Sequence, residues 1–153
     1  MSKKHILIVG TGSIGMRHGR NLTALGATVC GMDPRPDRRA AFAEEFDAAT
    51  FEDLATALAG STLDGVAVCS PTRFHVEQCL PALKEGLPVL LEKPVAKTLA
   101  EAEVLAEAIR RTDTPLLLGY TWRWWPPLAR VRQLLAEKAV GTMRFVDFTM
   151  SAH

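Results

Sequence analysis

The residues best suited to chemistry come early: Gly10-Thr11-Gly12-Ser13-Ile14-Gly15, directly behind the apolar run Ile6-Leu7-Ile8-Val9. Glycines at this spacing, after a short buried strand and before a helical pattern, are the fingerprint of a turn that holds a dinucleotide pyrophosphate. Gly10 permits the tight turn, Gly12 lets backbone approach the phosphates, and Gly15 lets the helix lie close to the strand. Thr11, Ser13 and Ile14 are candidates for the same site. The first N–H groups of the helix have no partner within it and stand at the positive end of its dipole, so they can take an anion.

Asp33 ends the next apolar run, Thr28–Met32, at about the distance where such a site places an acid. A carboxylate there can accept hydrogen bonds from the adenosine ribose and would repel a 2′-phosphate, which points to NAD. It can also serve as a turn residue before Pro34. Arg35, Arg38 and Arg39 follow. They either accept a 2′-phosphate, which leaves NADP open, or decorate a solvated helix start; Arg38 is carried forward as a site candidate. Arg17 and His18 fall in the opening turns of the first helix, where they serve the cofactor, a neighbouring loop or the surface.

The elements that must position these residues follow from periodicity and breakers. A helix is expected from Ile14 to Leu25, stopped by Gly26. A second follows Pro34-Arg35-Pro36, from Asp37 to Phe46. A short strand near Ala48–Thr50 precedes Thr50-x-x-Asp53, which reads as a capping box for a helix ending near Gly60. Gly65–Cys69 reads as a fourth strand. Ser70-Pro71-Thr72 breaks it, and Thr72 can cap a helix reaching Glu85. Pro81 inside that helix predicts a kink or break. Pro88–Leu91 is a fifth strand, Thr98-x-x-Glu101 a second capping box for a helix to about Arg111, and Leu116–Gly119 a sixth strand.

Strands alternating with helices imply an α/β fold: a doubly wound parallel Rossmann sheet of about six strands in the order 3-2-1-4-5-6. Ligand then lies beyond the carboxyl ends of the strands. Those ends carry Gly10–Gly15, Asp33, Ser70–His75, Glu92–Pro94 and Tyr120–Trp125, so the candidates converge on one edge.

The 153 residues suffice for a domain with a real core, and a formal net charge of +1 gives no electrostatic case for nucleic acid. No apolar run reaches the length of a membrane span. The start of the chain lacks a signal-peptide pattern. Cys30, Cys69 and Cys79 show no metal-ligand spacing and read as reduced packing residues of a cytoplasmic protein. No metal site is expected.

With Arg17-His18 behind the glycine turn, Ser70-Pro71-Thr72-Arg73-Phe74-His75, and above all Glu92-Lys93-Pro94, the chain resembles the glucose–fructose oxidoreductase, inositol dehydrogenase and MocA family. Gly119-Tyr120-Thr121-Trp122-Arg123-Trp124, Pro126 and Val140-Gly141 also fit it. The resemblance implies an NAD(P)-dependent oxidoreductase moving hydride between a nicotinamide and a secondary hydroxyl of a sugar, cyclitol or related compound. It implies that Lys93 is catalytic and lies against substrate, that Glu92 orients Lys93 or the nicotinamide edge, and that Pro94 follows a cis bond. Ser70, Pro71, Thr72 and His75 join the cofactor side; for His75 the alternative is a helix-start residue bonded to nearby backbone. Tyr120, Arg123 and Trp124 are candidates for the substrate side, where indole faces can stack on sugar rings; packing is the alternative for the tryptophans.

The resemblance further implies two parts: a cofactor domain over residues 1–120, then a crossover helix over Pro126–Lys138 and the first strand, Thr142–Thr149, of a second α/β domain. The family's Asp-x-x-x-His pair is not matched by any of the four histidines, His153 included. The chain is expected to be the cofactor-binding part of a longer oxidoreductase, inactive or weakly active alone, with its last strand either disordered or paired with another copy. A non-catalytic dinucleotide-binding module or a partner-dependent subunit is the alternative.

Overall fold

The run Ile6–Val9 is apolar because it has neighbours on both faces. In the computed structural model, which describes residues 3–149, β1 (His5–Val9) lies mid-sheet between β2 (Thr28–Met32) and β4 (Gly65–Val68). β3 (Thr50–Phe51) pairs outside β2, and β5 (Val89–Leu91) and β6 (Leu116–Leu118) extend the opposite side. The order is β3-β2-β1-β4-β5-β6, with every ladder parallel. This is the doubly wound order expected from sequence, with its switch between β1 and β4.

The crossovers carry α1 (Ser13–Ala24), α2 (Pro36–Phe46), α3 (Leu54–Ala59), α4 (His75–Lys84) and α5 (Leu99–Thr112). Alternation along the strands divides the core. Leu7, Val9, Cys30, Met32, Val66, Val68 and Leu91 pack with Ala57 of α3, Cys79, Ala82 and Leu83 of α4, and Leu105 of α5. Ile8, Val29 and Ala67 face the other way, onto Phe42 of α2, with Met16 and Leu22 of α1 beside them. Each large aliphatic side chain so buried contributes about 1.5–3 kcal/mol. The sheet centre therefore fixes where its carboxyl ends stand.

Several local expectations need correction. The third strand sits at Thr50–Phe51, later than expected. Thr50 is therefore committed to a ladder and does not cap α3; Asp53, adjacent to the helix, does. Its carboxylate accepts the Thr56 N–H and hydroxyl, each at 2.8 Å. The second capping box holds: Thr98 accepts the Glu101 N–H at 3.2 Å, while the Glu101 carboxylate reaches back to the Lys97 N–H at 2.8 Å. Thr98→Ala should therefore cost about 1 kcal/mol, and Thr50→Ala should remove no cap. Chemical denaturation of the two variants checks this, and equal losses would contradict it.

Thr72 gives no side-chain cap; a 3-10 turn, Thr72–Phe74, leads into α4 instead. α4 also runs unbroken through Pro81. Pro81 removes the bond to the Glu77 carbonyl, and Glu77 is exposed, where water can serve that carbonyl. Cys79, Ala82 and Leu83 meanwhile keep α4 seated on the core.

The chain divides into two compact units, Met1–Gly119 and Tyr120–His153. The second holds a 3-10 turn, Thr121–Trp124, and α6 (Pro126–Ala136). Within it Trp122 packs near Trp125 and Phe148, ring centroids 6.2 and 5.5 Å apart. Residues 142–149, expected as a strand, form none. A strand exists by its ladder, and no other strand among the described residues of this unit offers one. His153 lies outside the described residues.

Candidate functional site

The chain turns as soon as β1 ends. Gly10 has φ +88°, and a Cβ there would lie 2.8 Å from the Ser70 backbone, so only glycine fits. Its N–H donates to the Met32 carbonyl at 2.7 Å, tying the end of β1 to β2. Two residues later Gly12 caps α1 without a side-chain hydrogen bond, and the first turn of α1 holds no acid. α3 and α5, by contrast, are closed by Asp53 and Thr98. α1 is thus left open at its positive end. A Cβ on Gly15 would collide with the Gly10 carbonyl oxygen, so helix and turn can lie this close only with glycine there.

The open end borders a cleft of about 770 Å³ lined by Gly10, Gly12, Ser13, Ile14, Asp33, Arg38, Ser70 and Pro71 among others. A Cβ on Gly12 would first meet the Arg38 guanidinium, from 3.5 Å. Asp33 is buried, 2% exposed. Its Oδ2 accepts the Thr11 N–H at 3.0 Å and Arg38 at 3.5 Å, and its Oδ1 accepts the Arg35 N–H at 3.0 Å. Of a carboxylate's roughly four acceptor positions, one remains for a ribose hydroxyl. Thr11 itself is buried, and its hydroxyl has no hydrogen-bond partner among the described residues.

The three arginines separate by geometry. Arg35 is fastened to Asp37 at 3.0 and 2.6 Å. Arg39 donates to the Asp33 and Pro34 carbonyls at 2.8 and 3.0 Å and lies 3.6 Å from Glu52. Arg38, shared between Asp33 and the space over Gly12, is the one beside the acid's carboxylate. Arg73 and Phe74, within the Ser70–His75 stretch expected at this edge, also line the cleft, as do Leu54 and Gln78, which sequence reasoning missed. The Arg73 guanidinium sits 4.6 Å from the centre of the Phe74 ring. The signal for Leu54 and Gln78 was position: each lies just beyond a strand's carboxyl end or in the first turns of the next helix.

Glu92, Lys93, Pro94 and His75 form a neighbouring cluster. Glu92 is buried at the end of β5; its Oε1 accepts from His18 Nε2 at 2.8 Å and its Oε2 from the Lys93 N–H at 3.2 Å. The Lys93–Pro94 bond is cis. His75, 1% exposed, sets its ring nitrogens against two carbonyls, Pro94 at 2.8 Å and Ser70 at 2.9 Å. Ser70 thus belongs to both groups. Lys93 is exposed. Tyr120, Arg123 and Trp124 stand in the second unit, where Trp122, Trp124 and Trp125 line a shallow apolar hollow.

Burial pushes the thiols up, Cys30 to about 11 and Cys69 and Cys79 to about 12, with the Glu92 charge adding to the shift at Cys69. A raised pKa means less thiolate at a given pH: at pH 8 only about one Cys69 or Cys79 in ten thousand is ionised, against roughly a quarter of ordinary thiols. A thiol-specific dye at pH 8 should titrate all three cysteines promptly in denaturant and none promptly in the folded chain. A fast native thiol would contradict this.

A parallel six-stranded sheet with an uncapped helix end at its switch point and a buried acid closing β2 defines a Rossmann dinucleotide-binding domain. The chain belongs to the glucose–fructose oxidoreductase, inositol dehydrogenase and MocA family; the family's pattern, described as an oxidoreductase family with an NAD-binding Rossmann fold, matches residues 4–120. It is 34% identical over 141 residues to an inositol 2-dehydrogenase of Leifsonia xyli subsp. xyli, covering 90% of this chain and 42% of that protein. Identity to the glucose-6-phosphate 3-dehydrogenase of Bacillus subtilis is 28% over 142 residues, 92% of this chain and 40% of the relative. Scyllo-inositol dehydrogenase from Lactobacillus casei, solved with NAD(H) and scyllo-inositol, superposes with a TM-score of 0.85 at 25% identity, over 92% of this chain and 43% of the other. The chain spans less than half the length of each of these proteins. Among the described residues, no helix is long and apolar enough to cross a membrane.

Proposed function

We propose that this chain is the cofactor-binding part of an NAD-dependent dehydrogenase acting on a secondary hydroxyl of a cyclitol or sugar. The observation that carries the reading is the uncapped end of α1 opening, beside Asp33, onto the cleft at the sheet's switch point. The residues fit NAD: backbone N–H groups of Ser13 and Ile14 for the pyrophosphate, and the remaining acceptor position of Asp33 for a ribose hydroxyl. Bound there, NAD supplies the hydride acceptor.

The chain's own residues then have separate tasks. Gly10 and Gly15 keep the turn tight enough for phosphate to reach the N–H groups. Ser70 and Pro71 wall the cleft from the β4 side. Lys93 hydrogen-bonds the reacting hydroxyl and helps manage its proton during hydride transfer, as the family resemblance implies. Tyr120, Arg123 and Trp124 supply contacts to the sugar or cyclitol. The named relatives, inositol and sugar-phosphate dehydrogenases, support the substrate class. Arg38 leaves NADP as a second cofactor.

Titration of the folded chain with NADH and NADPH, then assay of NAD reduction with myo-inositol, scyllo-inositol and glucose 6-phosphate, tests this. Saturable NADH binding is expected, with weak turnover. A folded chain that binds neither nucleotide would overturn it.

A further inference from the structure

We propose that His18 is a positioning residue for Lys93, tying the helix that receives the nucleotide phosphates to the peptide that presents the lysine. The proposal rests on the role given to Lys93 above. Three bonds carry it. His18 donates from Nε2 to one oxygen of Glu92 at 2.8 Å, and the other oxygen of Glu92 accepts the Lys93 N–H at 3.2 Å. At the far end of the tripeptide, the Pro94 carbonyl lies 2.8 Å from His75 Nδ1. Lys93 is thus the exposed middle of a segment gripped on both sides by imidazoles from different helices.

Both grips lead back to the cleft. His18 belongs to α1, whose first residues Ser13 and Ile14 line it; His18 follows Ser13 by five positions, a rise of about 7.5 Å along one rigid helix. The other ring nitrogen of His75 lies 2.9 Å from the carbonyl of Ser70, another cleft residue, and a neutral imidazole, with one N–H, donates to either this carbonyl or that of Pro94. A carboxylate and a carbonyl only accept, so each grip needs a ring N–H. Glu92 is 7% exposed and the His18 side chain 16%, so water competes little for their bond. Surface attachment of α1 would not require a partner just past β5; a device that holds the Lys93 peptide at a fixed distance from the phosphate-binding end of α1 does. Misplacing a reacting group by about 1 Å can cost a hundredfold in rate.

The test uses the 153-residue chain and its assigned amide spectrum. His18→Ala removes the donor; His18→Gln keeps an N–H able to reach Glu92, and His18→Asn is too short. Without nucleotide, the Lys93 amide resonance should move in His18→Ala and His18→Asn and return to the wild-type position in His18→Gln. With NADH, the response of that amide should be lost in the first two and restored in the third. If His18→Ala fails to fold, the Asn and Gln variants make the same comparison. A Lys93 amide unmoved by loss of the donor, or a folded Gln variant that restores nothing, would overturn the proposal. Failure of NADH to move any wild-type resonance would instead count against the function proposed above, because the nucleotide-free comparison reads the grip by itself.

Discussion

Gly15→Ala is expected to destabilise the first unit by about 3 kcal/mol and to abolish NADH binding. The added methyl would fall on the Gly10 carbonyl oxygen, with the Ile8 side chain 3.1 Å away. Neither neighbour can give easily. Gly10 is fixed by its own φ of +88° and by its bond to the Met32 carbonyl, and Ile8 is fully buried in the sheet. α1 must therefore back away from the turn, which spoils core packing and moves the open helix end from where a pyrophosphate would rest. Overpacking of this kind costs about 1–3 kcal/mol and occasionally more, a fall in Tm of roughly 10 °C for a unit this size. Calorimetry and NADH titration check it. The control is Gly26→Ala: Gly26 also has positive φ, but a Cβ there meets nothing within 4 Å. That variant should lose some stability through backbone strain and keep its nucleotide affinity. Equal NADH binding by Gly15→Ala and wild type would contradict the assignment of this turn to the phosphates.

Asp33 and Arg38 should set the choice between NADH and NADPH in opposite directions. Asp33→Ser removes the charge that repels a 2′-phosphate and leaves Arg38 without its acid, so NADPH affinity should rise about tenfold and NADH affinity fall by a similar factor. Arg38→Met should weaken NADPH about tenfold and NADH far less, because Asp33 still receives the Thr11 and Arg35 N–H groups. The serine variant also leaves a buried N–H at Thr11 poorly served, costing about 1–3 kcal/mol of stability. Paired titrations at one ionic strength measure the ratio, with denaturation run alongside. A ratio unchanged by both substitutions would remove the ribose 2′ position from this pair of residues.

These expectations mix what the chain spells out with what folding adds. Gly10, Gly12, Gly15 and Asp33 were legible because their work is local: a turn, a close approach, a helix start and a strand end each leave a mark within a few residues. The six strands and their order were legible because alternating buried runs and helical patterns admit few right-handed windings. The Thr50 box misled because the same spacing can begin in a strand, and Asp53 proved to be the cap. The strand expected over residues 142–149 misled because alternation gives a side-chain period and cannot supply a partner.

By itself, then, the sequence determined a Rossmann sheet, its glycine turn and the acid after its second strand. Only the tertiary structure decided that Arg38, among three neighbouring arginines, faces Asp33, and that His18 reaches Glu92 across 74 residues of chain. The physical reason is that periodicity and turn chemistry act over one or two turns of backbone. A contact between the first helix and the fifth strand depends instead on how every intervening crossover lays its element on the sheet.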